Sequence, residues 1–157
     1  IEDICNLLTP ARREMALAVI ELYKRIKERK NNYKTIHTST DVYEVMSPYM
    51  SDLKVEECWA VFLNQASRVI RKQRISVGGL ASTQVDVRVI SKIALQCNAT
   101  SMILCHNHPS GNTRPSQDDD RLTHSLLEAG RVMNIRLLDH VIVSDGNYYS
   151  YGDEGRL

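Results

Sequence analysis

The feature that most limits how this chain can fold is a short apolar run, Met102-Ile103-Leu104-Cys105, that ends directly in His106-Asn107-His108-Pro109. An apolar run of this length, bounded by polar residues, reads as a buried strand. Side chains alternate between the two faces of a strand, so His106 and His108 leave the same side of a sheet at its end. A buried sheet needs covering layers, and the flanking segments supply them. Asp86 caps a helix running to Cys97, with Val87, Ile90, Ala94 and Cys97 on one side. Ser116 begins a second helix through about Ala129, and Gly130 stands where a left-handed C-terminal residue is expected.

The rest of the chain fits the same plan. Thr9-Pro10 reads as a helix start, followed by Met15, Ala18, Val19, Leu22 and Ile26 at helical spacing, an apolar stripe to be buried. A connector covers Asn31 to Thr40. A short helix with Val42, Val45, Met46 and Tyr49 on one side follows Thr40, limited by Pro48. Trp59 to Leu63 and Arg68 to Val77 read as two strands joined by Asn64-Gln-Ala-Ser67, a hairpin ending at Gly78-Gly79. Arg136 to Leu138 and His140 to Ser144 are strand pieces, and Asp145-Gly146-Asn147 turns the chain into Tyr148 to Tyr151. Such a mixture predicts an α/β or α+β layered domain over residues 39–157, preceded by a helix and connector over residues 1–38.

Composition narrows the function classes. With 20 Lys and Arg against 19 Asp and Glu, the net charge is +1. Domains held on nucleic acid by bulk charge usually have a pI above about 9. The charge is unevenly spread, however, since residues 1–74 carry 13 basic and 10 acidic side chains. Arg12, Arg13, Lys24, Arg25, Lys27, Arg29 and Lys30 make one helix face basic, and Arg71, Lys72 and Arg74 do the same for a strand. A solvated surface is the plain reading of both, and weak DNA contact is the alternative. The 4 cysteines contain no Cys-x-x-Cys pair, which excludes a zinc ribbon or thioredoxin-type motif and suits reduced thiols in the cytoplasm. No uninterrupted apolar run exceeds six residues, against about 18 for a membrane span, so no membrane association is expected.

Two imidazoles side by side at a strand end are half of a metal site. The next ligand must approach within about 2 Å of the same ion. Asp119 is placed to do so, because the loop Ser110 to Pro115 can fold the first turn of the following helix back over the strand end. Two histidines and a carboxylate leave a fourth tetrahedral position open, as in catalytic rather than structural zinc. Each residue also has an ordinary reading. Ser116 and Asp119 form a helix-capping pair, and Asp118 to Asp120 suit any helix N-terminus. None of these ordinary readings predicts the whole order of residues.

That order, His106-x-His108-Pro109 and then Ser116-x-x-Asp119, matches the JAMM (MPN+) metalloprotease motif. The fuller string His106-Asn-His-Pro-Ser-Gly111 with Pro115-Ser116 resembles the RadC family of bacterial proteins, once called DNA repair proteins. The resemblance extends over roughly Ser39 to Leu157, including Leu138-Asp-His-Val-Ile-Val143 and the segment from Tyr149-Ser150 to Gly155. It implies a cytidine-deaminase-like fold of JAMM/MPN type and Zn2+ held by His106, His108 and Asp119. It further implies a glutamate general base just ahead of an apolar strand, and Ser116 supporting the reacting oxygen. Glu56 and Glu57 both precede Cys58-Trp59; the family's order of glutamate, variable residue and aromatic selects Glu57, with Glu56 as the alternative. The activity implied is that of a zinc-dependent metallohydrolase acting on a peptide or isopeptide-like amide. The competing function is a DNA-associated repair or recombination accessory module with a structural or vestigial zinc site. RadC relatives commonly carry a helix-hairpin-helix module ahead of this domain; no Gly-x-Gly hairpin precedes Ile36, and the first helix reads as its remnant. Zinc deaminase chemistry is disfavoured because the Pro-Cys-x-x-Cys half is missing. His37, His124 and His140 keep ordinary structural readings.

Overall fold

The computed structural model describes residues 9–31, 34–78 and 85–157; Cys5, part of the connector and the Gly79 end of the hairpin lie outside these. The chain divides into two units, Ile1–Asn32 and Tyr33–Leu157. The first contains helix α1 (Pro10–Asn31), which begins where the Thr9-Pro10 signal places it. Met15, Val19 and Leu22 of its expected stripe are exposed rather than buried.

The second unit holds helices α2 (Ser39–Met50), α3 (Val87–Gln96) and α4 (Gln117–Met133) and strands β1 (Glu57–Leu63), β2 (Val69–Val77), β3 (Ser101–Asn107), β4 (Arg136–Ser144) and β5 (Asn147–Ser150). The strands form one sheet in the order β2-β1-β3-β4-β5. Only the β3–β4 pair is parallel, with α4 as its crossover helix; the other neighbours are antiparallel. Helices on both faces explain why β3 is buried along its whole length, as its unbroken apolar run requires.

Strand alternation builds two cores. Val61, Leu63, Ile103, Cys105, Val141 and Val143 face α2, where Val42, Val45, Met46 and Met50 complete the first. Cys58, Ala60, Phe62, Met102, Leu104 and Leu137 face the other way and meet Ile90 and Ala94 of α3 and Leu126 of α4. Residues 106 and 108 continue the alternation on this second side.

Three expectations are corrected. Helix α2 starts at Ser39, capped by Thr38 through a reciprocal capping box with Asp41, and continues past Pro48 to Met50. Residues 136–144 are one strand, its register shift lying opposite Met102/Ile103. Gly130 does not end α4; the left-handed residue is Asn134, at φ 56°. Gly130 lies inside the helix because a Cβ there would stand 2.4 Å from the carbonyl oxygen of Ile135, so the glycine permits a close approach of the chain as it leaves for β4.

Candidate metal centre

His106 is the penultimate residue of β3 and is 2% exposed. His108, two residues on, is held by the hydrogen bond from its N–H to the carbonyl of Val143 on β4. The chain then turns through Gly111, at φ 82°, to Ser116. Gly111 N–H donates to the carbonyl of His108, and Ser144 Oγ donates to the carbonyl of Gly111, which ties the loop to the sheet. Ser116 caps α4 with a second capping box. Its hydroxyl donates to Asp119 Oδ2 at 2.7 Å, its N–H donates to the same oxygen at 2.7 Å, and it accepts from Asp119 N–H.

The cap occupies Oδ2 of the carboxylate and leaves Oδ1 to face His106. Asp119 Oδ1 lies 3.2 Å from His106 Nε2, and Oδ2 lies 3.7 Å from His108 Nε2. The two Nε2 atoms are 3.0 Å apart. Ligand atoms about 2.0–2.1 Å from a tetrahedral zinc ion are separated by about 3.3 Å, close to the 3.0 Å between the two Nε2 atoms and the 3.2 Å from His106 Nε2 to Asp119 Oδ1. His108 Nδ1 donates to the carbonyl of Asn112, which leaves a lone pair on its Nε2. His106, His108 and Asp119 therefore form a group that could hold a metal ion. Burial pushes the His106 imidazole down to about 4, the nearby Asp119 carboxylate opposing and His108 adding to the shift. The ring is consequently neutral at pH 7, as a metal ligand must be.

The two glutamates at the start of β1, Glu56 just before it and Glu57 its first residue, fall on opposite faces. Cys58 is the cross-strand partner of His106, so Cys58 and Glu56 belong to the side that carries the histidines. Glu56 is half-buried and its carboxyl is pushed up by burial; of the charges that act on it, His108 lowers and Asp119 raises the value. Glu57, the residue selected from the sequence, points the other way. Trp59 Nε1–H donates to its Oε2 at 2.9 Å and the Arg74 guanidinium donates to its Oε1 at 3.1 Å. It is 6% exposed and shares its face with Trp59 and Val61. The difference between the two has a simple cause: neighbouring strand residues cannot face the same side, and the register with β3 decides which does.

Asn107, between the two histidines, is a further residue that shapes the site. Its side chain crosses to the start of β1, where Oδ1 accepts from Glu57 N–H at 2.7 Å and Nδ2 donates to the carbonyl of Val55 at 2.9 Å. Both neighbours of Glu56 are thus fixed by one amide, while the carbonyl of Glu56 accepts from Gly78 N–H. A polar residue at an inward position of a buried strand is the signal that would have found it.

A five-stranded mixed sheet between helices, with this His-His-Asp group at the end of β3, defines an α+β domain of the JAB/MPN type. Residues 36–156 match the RadC-like JAB domain. The chain is 43% identical over 140 residues to a UPF0758 protein of Flavobacterium johnsoniae, covering 88% of this chain and 61% of that one. A UPF0758 protein of Porphyromonas gingivalis is 39% identical over 150 residues, covering 94% and 66% respectively. One of Methanococcoides burtonii is 37% identical over 149 residues, covering 94% and 65%. The chain belongs to the RadC family. It spans slightly less than two thirds of the length of the curated relatives it matches.

Proposed function

We propose that this domain is a zinc-dependent metallohydrolase of JAMM type that cleaves a peptide or isopeptide-like amide, with Glu56 as general base. The observation that carries the reading is the convergence of His106 Nε2, His108 Nε2 and an Asp119 oxygen within 4.8 Å of one another, on the face that also carries Glu56. Three electron-pair donors meeting at that spacing repel one another unless a cation lies among them. Zinc, when bound, supplies a Lewis acid that polarises a carbonyl and makes water a nucleophile at neutral pH. Glu56 takes the proton of the attacking water and passes it to the departing amine. Its raised pKa brings it toward the range where one carboxyl serves as base and then acid. Ser116 spends its hydroxyl proton on Asp119, which makes it a positioning group for that carboxylate in the resting site. A role for Ser116 as oxyanion donor requires that proton to swing to the substrate.

The buried thiols of Cys58 and Cys105, unpaired, support a reducing, cytoplasmic setting. Among the described residues, no helix is long and apolar enough to cross a membrane. Metal analysis of protein purified without chelator should return about one zinc per chain, lost in the His106→Ala, His108→Ala double variant. Metal content unchanged by that double substitution would sink the proposal. Glu56→Gln should retain zinc and lose at least 10²-fold in turnover, as removal of a general base does, while Glu57→Gln should leave turnover within a few-fold. The reverse ranking would return the base role to Glu57.

A second reading, the DNA-associated accessory module, draws on the exposed Arg12, Arg13 and Lys24 of α1 and Arg68 and Arg71 at β2. Binding to duplex DNA that falls steeply with salt would support it, and no binding at low salt would reject it for this chain.

A further inference from the structure

We propose that His140 is a positioning residue of the metal centre: acting with Thr123, it fixes His106 in the tautomer that leaves Nε2 bare for the metal. This rests on the metallohydrolase reading above and adds the group that prepares its most buried ligand.

His140 lies on β4 and is fully buried. Its ring stacks on Tyr151 with centroids 4.9 Å apart and planes 6° from parallel. The Tyr151 hydroxyl in turn donates to Asp120 Oδ1 at 2.8 Å, which holds the stacking ring in place. Three short contacts then run through His140. Its Nε2 is 2.8 Å from His106 Nδ1, its Nδ1 is 2.6 Å from Thr123 Oγ1, and Thr123 Oγ1 is 2.6 Å from the carbonyl oxygen of Asp119.

One hydroxyl hydrogen sets the direction of the whole chain. A carbonyl oxygen only accepts, so Thr123 must donate to Asp119, the back-bond a helical threonine commonly makes to the fourth residue before it. Thr123 Oγ1 then accepts from His140, which places the hydrogen of that ring on Nδ1. A neutral imidazole carries one N–H, so His140 Nε2 accepts and His106 Nδ1–H donates to it. His106 Nε2 is left with its lone pair, directed at His108 Nε2 and Asp119 Oδ1. The opposite polarity would leave two oxygens 2.6 Å apart with no hydrogen between them and would put a hydrogen on His106 Nε2. Only one polarity satisfies every contact, and it is the one that makes His106 a ligand. The relay starts at the backbone of Asp119 and ends at His106, so the placement of α4 and the tautomer of the strand histidine are coupled.

Two measurements test this. Long-range 1H–15N NMR of the metal-free, 15N-labelled chain should show His106 and His140 both as Nδ1–H tautomers; an Nε2–H signal for His106 overturns the proposal. Zinc affinity, read by competition with a chromophoric chelator, should fall about 10–100-fold in His140→Phe, which keeps a ring on Tyr151 but removes both nitrogens, and by less in Thr123→Val. Unaltered affinity in a His140→Phe chain whose circular dichroism is that of the parent overturns it. If that variant does not fold, the tautomer measurement on the unaltered chain decides by itself. Failure of the unaltered chain to bind zinc overturns the metallohydrolase reading and this proposal with it, whereas equal binding by parent and His140→Phe overturns only the role of His140.

Discussion

Asp119 divides its two oxygens between two tasks, Oδ2 closing the cap of α4 and Oδ1 facing His106. Asp41 shows the same local device without the second task. In the Thr38–Asp41 box the carboxylate collects N–H donors, the backbone of His37 foremost, and its pKa is pushed down to about 2. Capping pair and metal ligand were competing interpretations of Ser116-x-x-Asp119 in the sequence, and the geometry accommodates both at once. A test follows at this scale. Ser116→Ala should cost about 1 kcal/mol of stability, whereas Ser116→Gly should cost only a few tenths, because glycine is tolerated at an N-cap. Both lack the hydroxyl that holds Asp119 Oδ2, so both should weaken zinc binding alike; titration and thermal melts of the pair separate the two tasks. Wild-type zinc affinity in Ser116→Gly would show that the backbone N–H of residue 116 is enough to orient Asp119. Glu56 and Glu57 show where residue-level reading stops. A motif one residue long cannot choose between adjacent glutamates, since the choice depends on which face of β1 meets β3, and that phase is fixed only by pairing across the sheet.

Elements were readable where periodicity and caps agreed, and were misread where packing overrode a local signal. Helix α3 begins at Asp86, whose side chain accepts from Arg88 N–H, and it buries Ile90 and Ala94 as the apolar spacing requires. Gly130 invited a stop because glycine usually marks a helix end, yet α4 runs on to Met133. The sequence contains no sign that the carbonyl of Ile135 passes over that position. Gly130→Ala should therefore destabilise the domain. Alanine gains up to about 1 kcal/mol in helix propensity, but overpacking against a fixed backbone atom costs about 1–3 kcal/mol. A melting temperature lower by several degrees is expected, and an increase would show that α4 and the start of β4 separate at little cost. The buried stripe Asp119, Thr123, Leu126 and Gly130 explains how one helix carries polar site residues and core residues together. Its polar half is at the end nearest the strand histidines, so it disturbs helical periodicity very little.

At the scale of the molecule, the sheet acts as the frame on which distant segments meet. The proposed ligands lie within one short stretch, residues 106–119, but Glu56 comes from a segment brought alongside by antiparallel pairing of β1 with β3. The local part was readable as a motif; the paired part was not. Metal bound between the end of β3 and the first turn of α4 would link two layers of the domain. Removing it with a chelator should lower the melting temperature, and zinc at about 100 times its Kd should restore about 2.7 kcal/mol. The His106→Ala, His108→Ala variant should show no such zinc response, and a response equal to that of the parent would place the metal elsewhere. The opposed orientations of Glu56 and Glu57 also make the domain sensitive to the length of its chain in a way that side-chain chemistry does not capture. Deleting one residue just before Cys58 would leave a glutamate next to it, but in the position that now meets Trp59 and Arg74, and would present Val55 to the histidines. The sheet could still pair and the core could still fill. A change of one residue in spacing would thus act as a frameshift within the fold, silencing the proposed chemistry while every residue type it needs stays in the chain.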